Sequence, residues 1–121
     1  MKRNYLLFAL LIGFLLGTGY FYRPTAVHAA PQRVEVTARR FTFEPSEITV
    51  KKGEPVDFVL KSADVGHGIR IPELNLDVKA KKGSPSEVIF TPDKVGDFTG
   101  HCSVFCGSGH GSMIFTVHVV E

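Results

Sequence analysis

A chain of 121 residues is long enough for one domain with a real core and too short for two. Its hydrophobic content of 44% is ordinary for a globular protein and argues against a disordered chain. The formal charge of +2 is unevenly spread: residues 1–30 hold Lys2, Arg3 and Arg23 and no acid, leaving 11 of the 14 Lys and Arg against all 12 Asp and Glu beyond them. Residues 31–121 show no basic stripe, so no nucleic-acid partner is expected. The Lys51-Lys52 and Lys81-Lys82 pairs read as solvated turn charges beside Gly53 and Gly83.

In chain order, a positive start at Met1–Asn4 leads into Tyr5 to Tyr22, which is almost unbroken Leu, Phe, Ile, Gly and Ala. A bilayer span needs roughly 20 apolar residues, and a signal peptide uses about 7–15. The stretch falls between the two. Val27-His28-Ala29 has small residues where a signal peptidase reads, so residues 1–30 are expected to be one hydrophobic helix, either a cleaved signal peptide or a membrane anchor through 5–22. Both versions leave residues 31–121 outside the cytoplasm, periplasmic or extracytoplasmic, because the positive end stays inside.

From Arg33 onward, short runs of β-formers are punctuated by Gly and Pro, with no helical period. Val34 and Val36, Phe41 and Phe43, and Ile48 and Val50 each alternate with polar neighbours. Val56–Leu60 is a further strand; Ile69, Ile71, Leu74 and Leu76 belong to an irregular pair. Glu87–Phe90 is bracketed by Pro85 and Pro92, and Val95–Phe98 begins the strand leading to Cys102. Ile114–Val120 closes the chain, with Phe115, Val117 and Val119 on one face. Seven or eight strands with frequent turn signals predict an all-β sandwich over 31–121.

Residues 99–113 concentrate the chemistry. Cys102, Cys106, His110 and Met113 fall within twelve positions. Thiolate, imidazole and thioether together favour copper. The intervening glycines allow the backbone angles needed to turn several donors toward one point. A further ligand must come from elsewhere, and His67, in Asp64-Val65-Gly66-His67-Gly68, is the candidate. Asp64 reads equally as a turn former and as an orienter of the His67 ring.

The run Cys-Ser-x-x-Cys-Gly-x-x-His-x-x-Met, with a distant His after an Asp-Val pair, resembles the dinuclear copper (CuA) domain of cytochrome c oxidase subunit II. The resemblance covers essentially all of 33–121. It implies a cupredoxin-like Greek-key β-sandwich on the outer face of a membrane, holding two copper ions for one-electron transfer. Cys102 and Cys106 would bridge the ions as thiolates, and His67 and His110 would cap them. Met113 and the carbonyl of Val104 would be weak axial ligands. Implied partners are a c-type cytochrome as donor and a haem-copper oxidase subunit I; the chain alone would catalyse nothing. Two departures stand out. Val104 occupies a position that is usually Glu, which leaves the carbonyl unaffected. The chain also has no Trp, whereas the family receives electrons through an aromatic patch containing one.

Taken residue by residue, other readings stay open. Cys102 and Cys106 in an exported protein could form a disulfide. One Cys with His67, His110 and Met113 is a blue-copper set, and Cys2His2 would suit zinc. A copper-delivery protein is a further class, although such proteins favour mobile Met-rich ligands and only Met113 lies outside the N-terminus. His101 and His118 are expected to be surface or structural residues, and His28 belongs to the export segment. Phe98, Phe105 and Phe115 could be a dry shell around the site or plain core.

Overall fold

The computed structural model describes residues 22–26 and 30–121. The proposed signal peptide or anchor lies almost wholly outside them, and among the described residues no helix is long and apolar enough to cross a membrane.

Nine strands form among the described residues: β1 (Gln32–Arg39), β2 (Thr42–Glu44), β3 (Glu47–Lys51), β4 (Val56–Ser62), β5 (His67–Ile71), β6 (Leu76–Ala80), β7 (Ser86–Phe90), β8 (Gly96–Cys102) and β9 (Ile114–Val120). The count exceeds the expected seven or eight because the irregular stretch resolves into two strands, β5 and β6, joined by the 3-10 turn Pro72–Leu74. Asn75 ends that turn in the left-handed region, at φ 52°, a conformation that Asn tolerates better than most residues.

A four-stranded sheet, β2-β1-β4-β7, packs on a five-stranded one, β3-β9-β8-β5-β6. β1 pairs parallel with β4 and β3 parallel with β9; the remaining ladders are antiparallel. This is the mixed sandwich expected of a cupredoxin-like chain. Alternation along the strands explains which residues meet inside. On β9, Phe115, Val117 and Val119 are buried and Ile114 and Val120 exposed, as the sequence pattern requires. Across the gap, β4 contributes Val56, Phe58 and Leu60. Phe58 meets Phe115 edge-on with ring centroids 5.6 Å apart, and Phe43 meets Phe115 at 6.0 Å, the arrangement favoured by aromatic quadrupoles. One expectation differs in detail. Phe41 and Phe43 do not share a strand, because Phe41 lies in the turn after β1 while only Phe43 enters the core.

The register fixes one end of the sandwich. Ile69 stands opposite Cys102, and His101 opposite Ile114. The start of β5, the end of β8 and the start of β9 therefore converge, together with the turn after β1.

Candidate metal centre

β8 delivers Cys102 and β5 begins at His67, so both residues sit on rigid strand ends. The β8–β9 loop carries Val104, Cys106 and His110, and Met113 immediately precedes β9. Two backbone bonds tie this loop to the strands: the Cys102 amide donates to the Met113 carbonyl at 3.2 Å, and the Ser103 amide to the Gly68 carbonyl at 3.1 Å. The six residues singled out in the sequence are thus brought to one place.

The donor atoms form a row. His67 Nδ1 lies 3.8 Å from Cys102 Sγ, the two sulfurs are 3.9 Å apart, and Cys106 Sγ lies 3.7 Å from His110 Nδ1. Beside the row, the Val104 carbonyl is 3.1 Å from Cys102 Sγ, and Met113 Sδ is 3.3 Å from Cys106 Sγ. The ligand atoms of His67, Cys102 and Cys106 all fall within 4.8 Å of one another. Both cysteines are free thiols. A disulfide needs sulfurs about 2.0 Å apart, whereas 3.9 Å leaves room for a metal with ordinary metal–thiolate bonds of about 2.3 Å. His67 and Met113 are completely buried and the two cysteines nearly so, which keeps water from the inner side of the cluster.

Asp64 fills both roles that the sequence left open. Its Oδ1 accepts from the Val65 amide at 2.6 Å and from His67 Nε2 at 2.6 Å, and its Oδ2 accepts from the Arg40 amide at 2.7 Å. Burial alone would raise the carboxyl's pKa, but these donors outweigh it and hold the pKa down, to about 2. An ionised carboxylate can only accept, so His67 donates from Nε2, which leaves Nδ1 facing Cys102. Burial, then the neighbouring Cys102 thiol, pushes the Cys106 thiol upward. The metal-free site therefore keeps Cys106 as a thiol, and a metal must displace its proton to bind.

The turn after β1 supplies two residues that the motif did not reveal. Arg40 Nε donates to the Cys106 carbonyl at 2.9 Å. The Phe41 ring packs against Gly107 and Gly109: a Cβ on Gly109 would lie 2.4 Å from Phe41 Cγ, and one on Gly107 3.0 Å from the ring. No local pattern marks Arg40; only the fold brings it to the loop.

The remaining histidines stay outside the cluster. His101 is exposed on the face of β8 opposite Cys102. His118 on β9 bonds Asp97 at 2.6 Å and Glu47 at 3.3 Å, a structural clasp between strands. Phe115 is core and Phe98 half-buried, but Phe105 is 79% exposed with its ring centroid 5.5 Å from that of His110.

The chain matches the family of cupredoxin-like domains over residues 8–115. It is 34% identical over 88 residues to cytochrome c oxidase subunit 2 of Thermus thermophilus, covering 73% of this chain. It spans 65% of that protein's length and 52% of a second subunit 2 from the same species. Among solved structures, a haem-copper terminal oxidase dimer matches at a TM-score of 0.67 and 31% identity, covering 75% of this chain and 66% of the other. The periplasmic domain of subunit II of the Bradyrhizobium japonicum cytochrome oxidase matches at a TM-score of 0.70 over 77% of this chain and 86% of that domain, and at 22% identity it speaks for the fold alone. Sequence match, sandwich topology and the loop joining β8 to β9 agree: the chain belongs to the cupredoxin-like family.

Proposed function

We propose that this chain is a copper-binding electron-transfer protein of the cytochrome c oxidase subunit II kind, with a dinuclear CuA-type centre held by His67, Cys102, Cys106, His110, Met113 and the Val104 carbonyl. The order of the donors carries the reading: imidazole, thiol, thiol, imidazole, at successive spacings of 3.8, 3.9 and 3.7 Å. A mononuclear blue-copper site needs both imidazoles around one sulfur. Here each sulfur has its own imidazole and its own weak donor, which favours two ions sharing the thiolates. The donor set also suits copper over zinc, because a thioether and a carbonyl have no part in an ordinary Cys2His2 zinc site.

Bound copper would supply one-electron redox chemistry. The protein's part is to keep the ligands still. His67 is locked by Asp64, which is held by the Arg40 amide; Cys106 is held through its carbonyl by Arg40. Strand ends fix Cys102 and Met113, and burial keeps the inner side dry. Such a rigid, water-poor frame lowers the rearrangement that accompanies electron transfer. The proposed setting is the outer face of a membrane, periplasmic or extracytoplasmic, with residues 5–22 as signal peptide or anchor. A c-type cytochrome would donate electrons and a haem-copper oxidase subunit I would receive them. A fixed, buried ligand set argues against a delivery protein, whose ligands must be easy to release.

The test is copper content together with single replacements. The reconstituted chain is expected to bind two coppers. Cys102→Ser and Cys106→Ser should each lose the bridged pair, whereas His101→Ala should retain it. One copper in the unaltered chain, or full binding in Cys106→Ser, would overturn the reading.

A further inference from the structure

The loops at the two ends of the sandwich differ in charge. Those at the copper end carry Arg40, Lys81 and Lys82 against Asp64, and Asp64 is already engaged by the Arg40 amide and His67. At the opposite end, the loops and the terminus hold Glu54, Glu73, Asp93 and Glu121 against Lys52 and Lys94. The strand end beside the site adds Lys79, directly before Ala80, whose register partner is His67. Among the described residues, no carboxylate lies within ion-pair distance of Lys79, Lys81 or Lys82, whereas Arg33, Arg39 and Lys61 are all paired. All three are exposed; Lys51 and Lys94, toward the opposite end, also lack an ion pair among the described residues.

Of the three, Lys79 and Lys81 border a cleft that Lys51 and Lys94 do not line. It has a volume of about 290 Å³ and is lined by Lys79, Lys81, Ser84, Gly66, His67 and Val104 among others. Two residues of the proposed copper site, His67 and Val104, therefore line it together with Lys79, Lys81, Ser84 and Ser86. At the other end of the donor row, Phe105 stands 79% exposed over the His110 ring. One end of the row opens on a basic cleft, the other on a bare aromatic side chain.

We propose that this end of the domain docks the acidic face of a partner protein that exchanges electrons with it. A carboxylate of the partner seats in the cleft between Lys79 and Lys81, and Phe105 packs against the partner's surface near His110. The proposal rests on the electron-transfer reading above. Charge complementarity selects the occupant: unpaired lysines around a low-dielectric wall attract carboxylates and accelerate encounter. A partner large enough to bridge cleft and aromatic is a protein; a small anion would fill the cleft and leave Phe105 in water. An exposed aromatic side chain is also a usual component of a contact centre.

Two probes that differ mainly in charge test this: a basic c-type cytochrome and the same cytochrome with its lysines succinylated. Stopped-flow electron transfer to the copper-loaded full chain is followed across ionic strength. At low salt the succinylated form is expected to react about tenfold faster or more, with a rate that falls as salt screens the pair. Lys79→Glu/Lys81→Glu should abolish that advantage while copper content and spectrum stay as in the parent. Phe105→Ala should slow the reaction without changing its salt dependence. Equal rates for the two cytochromes, or no effect of the charge reversal, would overturn the proposal. Because the metal-free chain can be titrated with the same succinylated cytochrome, the docking claim is separable from the copper claim. Amide shifts confined to Gly66, Lys79, Lys81 and Phe105 support docking even where copper loading fails. Shifts at the Glu54 and Asp93 end, or binding to anionic vesicles in preference to the cytochrome, contradict it.

Discussion

Arg40 donates a hydrogen bond of 2.9 Å from Nε to the carbonyl of Cys106, while its own amide donates at 2.7 Å to the Asp64 carboxylate that orients His67. A single turn thus braces a proposed thiolate ligand and a proposed imidazole ligand that lie far apart in sequence. Arg40→Ala removes the side-chain bond and keeps the amide. It should lower the stability of the metal-free protein by about 1 kcal/mol and broaden the distribution of copper-site geometries. Denaturant melts and the linewidths of the copper spectrum check both effects, and Arg40→Lys should restore only part of each because Lys lacks the planar fork.

Gly109 offers a sharper test of the loop. Its φ of −92° is open to any residue, so a methyl group there is blocked first by Phe41, whose Cγ would lie 2.4 Å away. Gly109→Ala should destabilise the fold by about 1–3 kcal/mol and reduce copper occupancy. Adding Phe41→Ala should recover much of the loss. A double-mutant cycle measures the coupling; a coupling near zero would show that the loop does not rest on Phe41.

Much of this was legible before folding was considered, and the reason is distance along the chain. Cys102, Cys106, His110 and Met113 lie in one short loop, so their spacing alone reports a ligand cluster. The buried face of β9 was legible because alternation in a strand is itself a statement about the core. Arg40 was not, because it reaches Cys106 from 66 positions away and an Arg in a turn has no distinguishing pattern. Phe41 was misplaced for a related reason: alternation with Phe43 continues through a turn as readily as through a strand. Lys81 and Lys82 read as ordinary turn charge, and only the position of Lys81 beside Lys79 at the cleft gives the pair a further meaning.

Phe58 is completely buried, beside Phe90 of the neighbouring strand in its own sheet and against Phe115 across the gap between the sheets. Phe58→Ala should cost about 3–5 kcal/mol, which is large against the total stability of a small domain. Chemical denaturation of the metal-free protein gives the value directly, without the contribution of bound metal.

His118 links stability to pH. Its hydrogen bonds to Asp97 and then Glu47 raise its pKa above the usual 6.5, so the folded protein holds the proton more tightly than the unfolded chain. The stabilisation is complete below about pH 6.5 and is lost as pH climbs through the raised folded value. Comparing His118→Gln with the unaltered chain by denaturation from mildly acidic to alkaline pH checks this. The difference should be largest in acid and shrink on the alkaline side; a constant difference would mean that packing, not charge, is what His118 supplies.

Two copper ions sharing Cys102 and Cys106 are the core of the proposed function. Electron paramagnetic resonance of the copper-loaded chain tests it most directly. An electron shared equally between two copper nuclei gives a seven-line hyperfine pattern, and the account predicts that pattern with two coppers per chain. A four-line pattern with one copper per chain would contradict it.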